Sequence, residues 1–290
     1  MIIVRIRGGL GNQLFQCAIG YSLSKNKNTQ MGVDISSFTL QNSRSYRLDC
    51  LNFSCINIVD SSKLPIKIKI LKNRYINKVM RIKKKSIIKI NANTLYVLEN
   101  QDSLINEAGL NDTDNLYIDG CFQTPIYFQK YRKELLKAIT PNYEYSDCVK
   151  GLFDEIYKVE SVAVHIRRGD FSKTRLDRYH YLLDNDYYIR AMDYIQENIE
   201  CPIFYFFSDD IHWVEERFGN NKNVQIVSIK EENSDITELM LMKACKHIIT
   251  ANSTFSWWAA WLKEDDKAIC IVPKKQYGNI YMIPNNWIKM

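Results

Sequence analysis

From about residue 160 onward, apolar residues come in short runs rich in β-branched and aromatic side chains, separated by longer segments with apolar positions at helical spacing. Val162 to Ile166 is one such run, and further strands are predicted at 203–207, 224–228, 247–250 and 268–272. Helices are predicted between them, near 186–198, 211–218, 235–245 and 254–263. Strands and helices in strict alternation build βαβ units, which imply a parallel sheet with helices on both faces. The chain opens the same way: a short strand from Met1 to Ile6, a glycine-rich turn, apolar residues at helical spacing from Cys17 to Leu23, and a second strand ending at Asp34. Asn115 to Asp119 reads as another strand, and the helix predicted over 126–139 stops before Pro141, which cannot continue it. Segment 142–158 supplies a domain boundary and the helix after it. The expectation is an α/β protein of two domains, 1–150 and 151–290.

Composition supports this without redirecting it. Of 290 residues 46% are hydrophobic and 25% charged, as in a soluble globular protein, and no segment is long and apolar enough to span a bilayer. The apolar start is too short for a secretory signal and is interrupted by Arg5 and Arg7, so a cytoplasmic location is predicted. Eight cysteines form no Cys-x-x-Cys pair, and none of the four histidines stands near them at ligand spacing, so reduced, mostly buried thiols and no metal are expected.

Charge does change the picture. The net charge is +6, yet residues 61–98 hold eleven Lys and Arg and no acid, so the remainder sums to −5. This stretch is predicted as a basic helical insert. A charge run is usually a solvated face, but here Ile66, Ile68, Ile70, Ile76 and Val79 are interleaved with the basic residues, which also suits peripheral contact with an anionic membrane. One stripe without a recognised module argues against nucleic acid.

Candidate chemistry sits where predicted strands end. After the first strand, Gly9 and Gly11 with Asp34 imitate a dinucleotide fingerprint, but Leu14 replaces its third glycine, which argues against a dehydrogenase. A purely structural tight turn would not account for Asn12 and Gln13, two carboxamides able to donate to and accept from a ligand. The strand at 162–166 delivers His165, Arg167, Arg168, Gly169 and Asp170 to the edge where open α/β sheets bind ligands. Arginine's planar fork matches phosphate oxygens, so the pattern proposes a diphosphate site, with an exposed loop holding its own Arg-Asp pair as the alternative. Asp209 and Asp210 follow the next strand as ligand contacts or as a helix cap with a first-turn acid. Asn252, Ser253, Thr254, Phe255 and Ser256 open a helix whose first N–H groups suit an anion, while Trp257 and Trp258 are expected in the core.

Taken in order and spacing, the segments 8–16, 165–170, 207–210 and 252–258 resemble the bacterial α-1,2-fucosyltransferases of glycosyltransferase family 11 over nearly the whole chain. The resemblance implies two Rossmann-like domains facing a cleft in a GT-B-like glycosyltransferase, the first on the acceptor side and the second binding GDP-β-L-fucose. It implies inversion to an α linkage without metal or other cofactor. Arg167 would contact the β-phosphate; His165 and one of Asp209 or Asp210 the guanine; and Thr254 to Ser256 the diphosphate. Arg168, Asn252 and Ser253, and from the first domain Gly9, Gly11, Asn12 and Gln13, complete the donor-binding set. The catalytic candidates are Arg167, Asn12, Asp170 and His180; Asp170 is as well suited to orienting an arginine as to acting as base. The acceptor would be a galactose-terminated glycan, free or in a lipid-linked surface polysaccharide repeat such as an O-antigen. Many family members have Thr-His-Gly where Tyr179, His180 and Tyr181 stand, and an aromatic in place of Cys121, which leaves the acceptor open. A non-catalytic nucleotide-sugar or glycan-binding protein is the alternative.

Overall fold

The computed structural model describes residues 1–38, 44–53, 56–82, 86–99, 104, 110, 113–169, 182–274 and 282–290, without the side chains of 74, 81 and 82. It divides into two compact units, Met1–Thr140 and Pro141–Met290. The division falls before the expected 150/151 because helix α5 (Asp147–Lys158) packs on the sheet of the second unit and on a later helix there.

The first unit holds β1 (Ile2–Arg5), α1 (Leu10–Asn26), β2 (Met31–Asp34), β3 (Ile56–Ile58), α2 (Ile66–Leu71), α3 (Arg74–Ile82), β4 (Ile87–Asn91), β5 (Thr94–Leu98), β6 (Asn115–Asp119) and α4 (Arg132–Ala138). Its six-stranded sheet runs β3-β2-β1-β6-β5-β4, parallel except for β4, which is antiparallel to β5. Strand order reverses between β1 and β6, the kind of switch point at which α/β sheets bind ligands. Two expectations are corrected. The basic stretch is α-helical only over α2 and α3 among the described residues, after a 3-10 turn at 61–63. Ile87, Ile88 and Ile90 favour a strand, and Asn91 accepts the Asn93 N–H at 3.0 Å in a turn that folds β4 back onto β5. Between 126 and 139 only α4 is α-helical. Thr124 caps the first of two 3-10 turns, 125–127 and 129–131, and the non-helical φ of −137° at Phe128 separates them.

The second unit continues with β7 (Glu160–Ile166), α6 (Asn185–Asn198), β8 (Pro202–Ser208), α7 (Ile211–Phe218), β9 (Val224–Val227), α8 (Ser234–Ala244), β10 (His247–Ile249), α9 (Thr254–Trp261), β11 (Cys270–Val272) and β12 (Ile288–Lys289). All six strands are parallel, in the order β12-β11-β10-β7-β8-β9. Every element predicted from 162 onward lies within two residues of its observed ends, and β12 is an addition. The periodicity is legible because the sheet is covered on both faces, so Val162, Val164, Phe204 and Phe206 read as continuous apolar runs. Trp257 and Trp258 are fully buried, as expected. β7 is central: the chain steps outward through β8 and β9, then returns to place β10 on its other side. Among the described residues no disulfide forms, and only Cys17, Cys245 and Cys270 are buried, fewer than expected. No described helix is long and apolar enough to cross a membrane.

Candidate functional site

The carboxyl ends of three neighbouring strands, β10, β7 and β8, carry the predicted motifs of the second unit to one sheet edge, at its switch point. Asp209, just past β8, organises the turn after β7. Its Oδ2 lies 2.9 Å from Arg167 Nη1, and its Oδ1 accepts the Arg168 N–H at 2.8 Å. A Cβ on Gly169 would stand 3.0 Å from the same carboxylate, so the chain passes Asp209 as closely as it does because residue 169 is glycine. Asp210 accepts the Trp213 N–H as the cap of α7 and lies 3.4 Å from Arg168 Nε, while the Arg168 guanidinium stacks 4.4 Å above the Trp213 ring. Arg168 is thereby fixed against α7. Arg167 is oriented by its ion pair to Asp209.

Across β7, the His165 ring packs 5.5 Å from Phe255 in the first turn of α9. Ser253 caps this helix, accepting the Phe255 N–H at 3.3 Å. First-turn N–H groups such as those of Thr254 and Ser256 have no acceptor four residues back within the helix, so the helix start presents donors and a positive dipole end. His165 is buried, and burial with Arg167 nearby pushes its pKa down to about 3, so the imidazole is neutral at physiological pH. Its Nδ1 meets no hydrogen-bond partner among the described residues.

One residue escaped the sequence reading. Glu238, in α8, has its carboxyl pushed up to about 7 by burial and by the nearby Asp235 and Asp209, and it accepts the Ile229 N–H. Asp209 and Asp210 are both engaged within the turn, and Glu238 lies near Asp209. The only signal in the sequence was an acid one turn after Asp235 on an otherwise apolar helix, which is not distinctive.

In the first unit, the positive φ falls at Gly8 (81°), where a Cβ would come 3.1 Å from Asn12 Nδ2; Gly9 caps α1 and Gly11 lies buried in its first turn. Gln13 is fully buried and braces the turn: its Nε2 donates to the carbonyls of Gly8 and Ser45, and its Oε1 accepts the Arg47 N–H. Asn12 is placed differently. Gln123 donates to its Oδ1 at 2.9 Å, which leaves Nδ2 as the carboxamide's donor. Residues 120–123 are themselves anchored by Glu99, which accepts the N–H groups of Cys121 and Phe122 at 2.8 and 2.7 Å. Below this turn lies a buried ionic cluster that sequence did not reveal: Asp119 with Arg5, Arg7, Tyr96 and Asn77, and Asp34 with Lys72 and Tyr117. Its members come from β1 and the residues just after it, from β2, β5 and β6, and from the α2–α3 segment, which are brought together by strand pairing and by the packing of those helices on the sheet.

The structure thus brings together His165, Arg167, Arg168, Asp209, Asp210 and Ser253 to Ser256, with Asn252 just ahead of them. Asn12 and Gln13 are described within the first unit. Asp170 and His180 lie outside the described residues. Among the described residues, no three His, Cys, Asp or Glu side chains are grouped as a metal site would require.

The family model described as Glycosyl transferase family 11 matches residues 1–289. An alpha-1,2-colitosyltransferase of Escherichia coli is 30% identical, over 100% of this chain and 99% of its own. The O-antigen biosynthesis glycosyltransferase WbnK, also of Escherichia coli, is 29% identical over 98% and 99%. A galactoside alpha-(1,2)-fucosyltransferase 1 of Alouatta belzebul is 33% identical over 36% of this chain and 29% of its own. Among solved structures, fucosyltransferase NodZ from Bradyrhizobium superposes with a TM-score of 0.52 at 12% identity, covering 90% of this chain and 92% of that one. At that identity the likeness concerns fold alone: an α/β, GT-B-like architecture of two Rossmann-like units.

Proposed function

The chain belongs to glycosyl transferase family 11, and from that premise we propose that it moves L-fucose from GDP-β-L-fucose to the 2-hydroxyl of a terminal galactose, with inversion to an α linkage. The observation that carries the proposal is the meeting of Arg167 and the capped start of α9 at one switch point, a cation and a row of N–H donors on adjacent strand ends. In the reaction, the acceptor oxygen bonds to C1 of the sugar as the bond from C1 to the β-phosphate oxygen breaks, and the electron pair leaves with GDP. Negative charge grows on the β-phosphate while the sugar becomes oxocarbenium-like. A preorganised donor aimed at such charge contributes about 3 kcal/mol. Arg167 is assigned to the β-phosphate and the N–H groups of Thr254 and Ser256 to the diphosphate. Guanine offers N–H donors, for which Glu238 is the carboxylate acceptor, and the neutral His165 the second polar contact. Asn12, its carboxamide oriented by Gln123, is assigned to the donor substrate. The proton of the acceptor hydroxyl passes to a base, for which Asp170 and His180 stay the candidates.

The similarity to a colitosyltransferase makes donor identity the first thing to test. Purified enzyme is offered GDP-fucose or GDP-colitose with galactose-terminated oligosaccharides, and the linkage of the product is determined by NMR. An α-1,2-fucosylated galactoside supports the proposal; exclusive use of GDP-colitose moves the donor assignment; binding of both donors without product over a broad acceptor panel favours a non-catalytic binding protein. Activity is expected to survive EDTA, because arginine and backbone donors are assigned the work a divalent ion would do. Loss on chelation with recovery on adding Mn²⁺ or Mg²⁺ would refute that part.

A further inference from the structure

We propose that the outward faces of α2 and α3 form a docking surface for an anionic lipid bilayer. Both helices turn their inner residues, Ile68 and Leu71 from α2 and Ile76 and Met80 from α3, onto the same face of the first unit's sheet, against Tyr96, Leu98 and Tyr117. What they turn outward is therefore on one side of that sheet. It is not the polar surface that a solvated amphipathic helix presents. Ile66 and Ile70, one turn apart on α2, are 75% and 51% exposed, and Tyr75 and Val79, one turn apart on α3, are 80% and 47% exposed. These are four of the nine large exposed hydrophobic residues described in the whole chain, and they fall within fourteen positions.

The charges carried by the two helices themselves are all basic, while Asp60, ahead of them, pairs with Lys63 and lies near Lys69. Lys67, Lys69 and Lys78 are exposed. Lys67 and Lys69 donate to the carbonyls of Lys89 and Ser62, which leaves their charges in place. Among the described residues no carboxylate pairs with these three; the nearby ion pairs involve Lys63 with Asp60 and Lys72 with the buried Asp34. Charge alone would suit any polyanion, nucleic acid included. Exposed isoleucine, tyrosine and valine between the lysines favour a surface that is anionic outside and apolar beneath, where the side chains enter the headgroup boundary and the ammonium groups stay at the phosphates. Short helices fixed on a sheet suit shallow docking, not insertion. The inference does not rest on the transfer reaction.

The experiment is co-sedimentation of the full chain with vesicles of phosphatidylcholine alone or mixed with phosphatidylglycerol, at low and high salt. Two variants accompany the wild type: Lys67→Gln with Lys69→Gln and Lys78→Gln, and Ile66→Ser with Tyr75→Ser. All of these side chains point away from the core, and circular dichroism and thermal midpoints verify folding. Wild-type binding to anionic but not neutral vesicles, lost at high salt, is expected. Each surface lysine contributes about a factor of five, so the triple charge variant should bind on the order of a hundredfold more weakly. The apolar variant should lose affinity even at low salt, which a purely electrostatic polyanion site would not show. Indifference of the wild type to anionic vesicles, or equal binding by wild type and both variants, overturns the proposal. So does binding to duplex DNA without binding to vesicles. Self-association abolished by the apolar variant, in a protein that ignores vesicles, overturns it too and makes the face a contact between copies.

Discussion

Arg167 is the residue to which the proposed transfer assigns the β-phosphate, and the expected poor rescue by lysine follows from that assignment. Asp209 lies 2.9 Å from the guanidinium, whose planar fork matches phosphate oxygens in a way an ammonium does not. Arg167→Ala is expected to lower kcat by at least about a hundredfold, and Arg167→Lys to recover little of it, because a compact ammonium lacks the planar fork that meets phosphate oxygens bidentately; steady-state GDP release measures both. Near-normal turnover in Arg167→Ala would remove the residue from its role. Glu238 supplies a pH signature. Its carboxyl is raised from 4.5 to about 7 in the fold, so between those values the native state holds a proton that the unfolded chain has released. Stability from this group therefore falls as pH rises through that window. GDP binding should move the other way, strengthening as pH rises through about 7, since guanine N–H groups need the carboxylate. Calorimetric titration with GDP across pH 5.5 to 8.5 checks this, and Glu238→Gln should flatten the profile; a profile unchanged in the variant separates Glu238 from the base.

At the scale of elements, legibility tracked burial. The central strands of the second unit, β7 and β8, could be read because they are largely apolar along their length, and helices such as α6 and α7 because they keep a polar face, two periods that do not blur. The hairpin β4–β5 was hidden by the basic residues that run up to it and by Lys89 within β4, which on an edge strand mimic the continuation of a charged helix. The turn 120–123 was hidden because its structure depends on a distant partner: Glu99 holds two of its N–H groups, and Phe122 adopts a φ of 51° that few side chains tolerate. A Cβ at Gly120 would lie 2.3 Å from the Glu99 Cβ, with backbone-near atoms that cannot swing away. Gly120→Ala should therefore cost about 2 kcal/mol, read as a lower urea midpoint with unchanged slope. It should also loosen Gln123 from Asn12. Stability equal to the wild type would mean that Glu99 does not anchor this turn.

Over the whole molecule, four short motifs far apart in sequence forecast a common chemistry, and within the second unit three of them share one sheet edge because the strand order places β10, β7 and β8 side by side. Legible in sequence were Arg167, Arg168, His165 and the start of α9, since strand ends and helix caps announce themselves. Not legible were Glu238 and the buried cluster around Asp34 and Asp119, whose meaning comes only from what folding brings beside them. The transfer proposed for this architecture makes a demand on the acceptor that a binding protein would not. GDP release from GDP-β-L-fucose should accelerate when a galactose-terminated acceptor is added, and it should stay at the hydrolytic background with the matching 2-deoxygalactoside, which lacks the attacking hydroxyl. Equal acceleration by the two acceptors, or none by either with GDP-fucose bound, would contradict the account.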